Sequence, residues 1–130
     1  MPVRGLRGAI TVSGNEREEI IRKTERLLED MMEQNSFQVE DVVSVIFSVT
    51  DDLDAEFPAV AARRLGWLYT PLMCTREIPV PGSLKKCIRV LMHINSSLRQ
   101  DEIIHSYLDG ARSLRPDLES DKKDRYYRSE

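Results

Sequence analysis

Residues 87–94 (CIRVLMHI) constrain this chain more than any other stretch. Strand alternation puts Ile88, Val90, Met92 and Ile94 on one face and Cys87, Arg89, Leu91 and His93 on the other. The second face is largely apolar yet carries an arginine, which cannot shed its proton. Burying that charge is costly unless an anion or a dense set of acceptors meets it. Arg7, between Leu6 and Gly8 in a strand-like N-terminal run, poses the same problem. Two fixed cations in apolar strands, on a chain of net charge −3, point to a pocket for a small anionic molecule.

The 130 residues allow a single domain. An apolar content of 41% supports a compact core, although a domain of this size buries only about 65–70% of the surface its unfolded chain exposes. The acidic balance, with no basic block or basic-aromatic stripe, argues against nucleic acid as a partner. Cys74 and Cys87 lack metal-ligand spacing and lie in apolar runs, which reads as two reduced thiols in a reducing compartment. No signal peptide opens the chain, and no apolar run approaches the ~20 residues of a membrane span. A soluble, cytoplasmic domain is expected.

Residues 3–12 read as a strand with Leu6, Ile10 and Val12 on one apolar face. Residues 16–34 carry apolar side chains at helical spacing, with Glu16, Glu18 and Glu19 where the helix dipole favours negative charge. Further strands are expected at 42–50, 67–75 and 84–95. A short helix over 58–65 is framed by Pro58 and Gly66. Residues 107–114 fit strand or helix by periodicity, with strand favoured. The order describes one α/β (α+β) domain: a mixed sheet with one long and one short helix on one face. The uncovered second face would then close against copies of itself in a symmetric oligomer.

No nucleophile, base and orienting group fall into a catalytic pattern. The histidines His93 and His105 lack acidic partners at useful spacing, so neither a triad nor a metal site is supported. No phosphate loop or dinucleotide fingerprint is present. Any chemistry should rest on positioning and charge, without metal or cofactor. Arg89 and Arg7 read equally well as anion-binding groups or as interface ion pairs, with Glu77 a partner for either role. Arg63 and Arg115 read alone as solvated charges, Cys74 as a core thiol, and Tyr107 as a core residue or hydroxyl donor.

Five segments in order carry a family resemblance: RGLRGAITV (4–12), DLDAEFPAVAARRLGW (52–67), MCTREI (73–78), GSLKKCIRVLMHI (82–94) and YLDGARSLRPDL (107–118). Together they resemble the AroH-class monofunctional chorismate mutases, colinearly over residues 3–118. The resemblance implies a domain over 1–118, leaving 119–130 as a charged tail expected to be disordered. It implies a barrel-like homotrimer with active sites between subunits, and strand for 107–114. The implied reaction is the Claisen rearrangement of chorismate to prephenate, on the route to phenylalanine and tyrosine. Arg89 would be the cation facing the ether oxygen as its bond breaks. Glu77 and Cys74 would bond the ring hydroxyl. Arg7, Arg63 and Tyr107 would hold carboxylates, Phe57 and Leu114 supply apolar wall, and Arg115 close over the ligand. Val60 and Met73 stand where members often carry lysine and threonine, and one residue is missing before Gly66; these changes reduce polar contacts at the pocket rim. Two other readings share the arginines: a Rid-type imine or enamine deaminase of the same trimeric fold, and a non-catalytic trimer that binds small anions.

Overall fold

Residues 1–114 are described in the computed structural model of this chain; Arg115 and the charged tail lie outside them. Strand β1 (Val3–Thr11) leads into helix α1 (Arg17–Asn35). Strand β2 (Val42–Val49), helix α2 (Ala59–Arg64) and strands β3 (Leu72–Arg76), β4 (Cys87–Asn95) and β5 (Ser106–Leu108) follow. They form one mixed sheet in the order β3-β2-β4-β1-β5. The central pairs β1–β4 and β2–β4 are antiparallel, while the edge strands β3 and β5 run parallel to their neighbours. The fold is the α+β single domain expected from the sequence.

Helix α1 forms where predicted because Ile20, Ile21, Leu27, Leu28 and Met31 recur on one side and are all fully buried. Glu16 caps its first turn by accepting the Glu19 amide at 3.0 Å, and Ser36 leaves it in the left-handed region at φ 53°. Gly8 lets this helix lie close to β1. A Cβ there would sit 2.7 Å from Met31 Sδ and 3.2 Å from Leu27 Cδ1. At the helix end, Asn35 Oδ1 accepts from Ile104 N at 2.8 Å and its Nδ2 donates to Ile104 O at 2.9 Å. The segment leading into β5 is thereby tied to α1.

Pairing registers turn strand alternation into rows across the sheet. Cys74, Phe47, Val90, Gly8 and Ser106 form one row on the helix-covered face. The next row, Thr75, Ser48, Arg89, Ala9 and Tyr107, lies on the opposite face. Leu6, Ile10, Ile88, Met92 and Ile94 are fully buried under the helices, as the alternation of β1 and β4 predicts, and Phe47 of β2 joins them. The opposite face is partly covered by the chain itself: Ala9, Cys87 and Ala111 form a second, small buried cluster beneath Leu84, Tyr107 and Leu114. Met73 and Leu91 on that face stay open, at 60% and 38% exposure. Among the described residues no helix is long and apolar enough to cross a membrane.

Three expected boundaries differ by more than one residue. The strand expected over 67–75 starts only at Leu72, because Arg63 donates to the carbonyls of Trp67, Leu68 and Thr70, and Pro71 has no N–H to offer a ladder. The strand expected from residue 84 begins at Cys87, just after Lys86 adopts φ 52°. The expected strand over 107–114 stops at Leu108. Asp109 turns left-handed at φ 53°, and Asp109–Leu114 continues as 3-10 turns.

Candidate active site

The open face of the sheet gathers most of the predicted site residues. Arg7 and Leu91 stand opposite each other on β1 and β4, and Arg89 and Ala9 form the pair two positions along. Tyr107 joins from β5 through its parallel pairing with Ala9. Glu77, one residue beyond β3, is pinned by its main-chain N–H to Val49 O at 2.8 Å. These groups, with Leu114, line a cavity of about 240 Å³. Within it Arg89 Nη1 lies 3.4 Å from Glu77 Oε2. The ion pair with Glu77, one of the two alternatives left open by the sequence, is thus present inside the cavity.

Two donors on residues that line this cavity are unused. Arg89 Nε and the Tyr107 hydroxyl are buried without a hydrogen-bond partner. Buried polar groups are rarely left so, because each forfeits its bonds to water. Arg89 and Tyr107 line the cavity together with Arg7.

Tyr107 is held in place from behind. Asp109 accepts from Lys23 Nζ at 2.5 Å and from Arg26 Nη1 at 3.2 Å, fixing the turn after β5 to helix α1. The hydrogen bond from Lys23 holds the Asp109 carboxyl below its usual value, with Arg26 adding to it. Gly110 N donates to Thr11 Oγ1 at 2.8 Å and carries the turn back over the open face. Arg7 projects from the strand while its main-chain N–H donates to His105 Nδ1 at 3.0 Å.

The remaining predicted residues lie elsewhere on the chain. Cys74 pairs with Phe47 and so points to the helix-covered side, where it lines a separate cavity of about 370 Å³ with Phe57. Burial pushes its thiol pKa up, partly offset by the Ala59 amide, so it is a neutral donor and no nucleophile. Phe57 is 67% exposed. Met73 shares the open face with Arg89 but lies outside the smaller cavity. The guanidinium of Arg63 is engaged by the loop carbonyls and lies outside both cavities. Arg115 falls outside the described residues.

Sequence reasoning passed over Ser48 and Ile46, which also line the smaller cavity. The alternation of β2 was visible, but only its register with β4 sets Ser48 opposite Arg89. Among the described residues no group of three or more His, Cys, Asp or Glu is arranged to hold a metal.

The family model for chorismate mutase type I matches residues 3–118. The chain is 50% identical over 119 residues to the chorismate mutase AroH of Bacillus subtilis (strain 168), covering 91% of this chain and 94% of that one. It is 51% identical over 119 residues to the chorismate mutase AroH of Thermus thermophilus, covering 91% and 98%. Among solved structures, a chorismate mutase from Clostridium thermocellum superposes with a TM-score of 0.84 at 54% identity, covering 85% of this chain and 98% of that one.

Proposed function

This chain belongs to the type I chorismate mutases, and from that membership we propose how its residues carry out the rearrangement of chorismate to prephenate. The family decides among the three readings open at the sequence level: the activity is that of an isomerase in aromatic amino-acid biosynthesis. Chorismate is a dianion, and guanidinium groups match its carboxylates. The rearrangement is intramolecular and pericyclic, so no base, nucleophile or cofactor has to act. In its transition state the C–O bond breaks ahead of C–C bond formation, and negative charge gathers on the ether oxygen.

Arg89 is the cation facing that oxygen. An interaction stronger in the transition state than in the ground state accelerates the step, and a fixed charge in a partly desolvated cavity provides one. Arg7 and the Tyr107 hydroxyl hold carboxylates in the compact conformer, and Leu114 supplies apolar wall. Glu77 orients Arg89 and accepts from the ring hydroxyl. The observation that carries this reading is the pair of buried, unpartnered donors, Arg89 Nε and Tyr107 Oη.

One protomer holds only part of the site. Its cavity of about 240 Å³ is smaller than the roughly 300–1,000 Å³ usual for ligand sites. Cys74, Phe57, Arg63 and Met73 stand outside it. We assign these residues to the facing wall, presented by a neighbouring subunit of a homotrimer with three interfacial sites, and Arg115 to closure over the bound ligand. The two free thiols, Cys74 and Cys87, suit the cytoplasm.

The test combines chorismate consumption, followed by absorbance, with light scattering for the oligomer. The parent should be a trimer that consumes chorismate. Arg89→Gln should remain a trimer and lose at least about 10²–10³ in kcat/KM. An Arg89→Gln trimer working at the parental rate would remove the mechanism.

A further inference from the structure

Ser48 has no part in the mechanism so far, yet it stands directly across the β2–β4 ladder from Arg89 and lines the same cavity. Its hydroxyl donates to Glu77 Oε1 at 2.6 Å. The next residue, Val49, accepts the Glu77 main-chain N–H at 2.8 Å. Neighbouring residues of β2 therefore grip Glu77 by side chain and by main chain. The other carboxylate oxygen, Oε2, is left to face Arg89 Nη1 at 3.4 Å.

That separation exceeds the about 2.7–2.9 Å of a close charge-assisted N–H···O bond. A carboxylate freed at this distance would swing into a two-pronged pair with the guanidinium. Such a pair, formed on the Nη1/Nη2 edge that Glu77 already faces, would neutralise the cation. The Ser48 hydroxyl anchors the second oxygen, Oε1, which this closure would have to draw towards the guanidinium.

Building on the mechanism proposed above, we infer that Ser48 is a positioning residue for the rearrangement. By holding Oε1 it keeps Glu77 beside Arg89 without letting it close, so the guanidinium stays directed at the substrate. Ser44 provides an internal control. It lies on the same face of β2, bonds His93 Nδ1 at 3.2 Å, and does not line the cavity.

The test uses Ser48→Thr and Ser48→Val, side chains of nearly equal shape that both suit a strand and differ in the hydroxyl. Steady-state kinetics with chorismate should show Ser48→Val reduced about tenfold in kcat, with KM within about twofold of the parent. This is the signature of an interaction made only in the transition state. Ser48→Thr and Ser44→Ala should stay within about twofold in both constants. Parental kcat in Ser48→Val, equal losses in the Thr and Val variants, or a loss confined to KM would each overturn the assignment. Arg89→Gln assayed alongside separates the two levels. If it is crippled while Ser48→Val is not, only the role of Ser48 falls; if it is fully active, the mechanism beneath that role falls.

Discussion

Arg89 and Glu77 sit 3.4 Å apart with 27% and 29% of their side chains still exposed. At that depth an ion pair contributes about 0–1 kcal/mol to stability. In the mechanism proposed here its value lies in aim, with Glu77 directing a charge it does not neutralise. A lysine at position 89 would keep the charge but lose the planar fork and the Nε–H donor. Arg89→Lys is therefore expected to recover little, with kcat/KM at least about 100-fold below the parent. Recovery to within a few-fold would show that charge alone suffices.

Tyr107 carries a hydroxyl that is buried without a hydrogen-bond partner. Tyr107→Phe should leave the melting temperature unchanged or slightly raised, because no bond is lost on removing it. Chorismate binding should weaken, since a hydrogen bond to a charged acceptor contributes about 1.5–3 kcal/mol, or roughly 10- to 100-fold in KM. A fall in kcat with KM unchanged would instead mean that the hydroxyl acts only in the transition state.

Glu19 is a carboxylate whose charge the fold holds. Its carboxylate accepts from Ser13 N at 2.8 Å, from Ser13 Oγ at 2.8 and 2.9 Å, and from Gly14 N at 3.2 Å. The Ser13 amide is the main cause that holds its pKa below 4.5, against the opposing effect of burial. A carboxylate depressed on folding stabilises the native state above its unfolded pKa, and that contribution is lost as pH falls through the folded one. Denaturant unfolding of the parent and of Glu19→Gln should differ at pH 7 by about 1–3 kcal/mol. The two curves should converge below pH 4.5. A difference that persists under acid would show that the charge is not what matters.

Asn35 bonds both the main-chain N–H and the carbonyl of Ile104 and also donates to Met31 O at 3.0 Å, while only 6% exposed. Asn35→Ala would leave buried backbone groups unsatisfied, at a cost of about 1–3 kcal/mol. Asn35→Asp should be worse, because it replaces a donor to two carbonyls with an acceptor. Urea unfolding at fixed protomer concentration reads both. Since Ile104 leads into β5, the same variants should raise KM through a less well-placed Tyr107. Parental stability in Asn35→Ala would remove the tie.

Much of this was legible before any coordinates. Helix α1, the short helix between Pro58 and Gly66, and the two-faced character of β1 and β4 follow from periods of 3.6 and 2 that local chemistry imposes. The anomaly at Arg89 was visible for the same reason: a permanent charge interrupts a run that otherwise reads as core. Ser48 was not legible, because a serine in a β-branched strand carries no signal until its partner across the ladder is known. The turn at Asp109 was missed because its left-handed geometry is sustained by Lys23, Arg26 and Thr11, which lie far away along the chain.

Alternation along each strand, and hence the opposite parity of Cys74 and Glu77, belongs to the sequence by itself, since successive side chains must point to opposite sides. Which parity shares a side with Arg89 was decided only by tertiary structure. Pairing Phe47 with both Cys74 and Val90 sends the thiol beneath the helices and leaves Glu77 beside the guanidinium. A one-residue slip in that register would reverse the two. Such registers are set by contacts between strands distant in the chain, which no local pattern encodes.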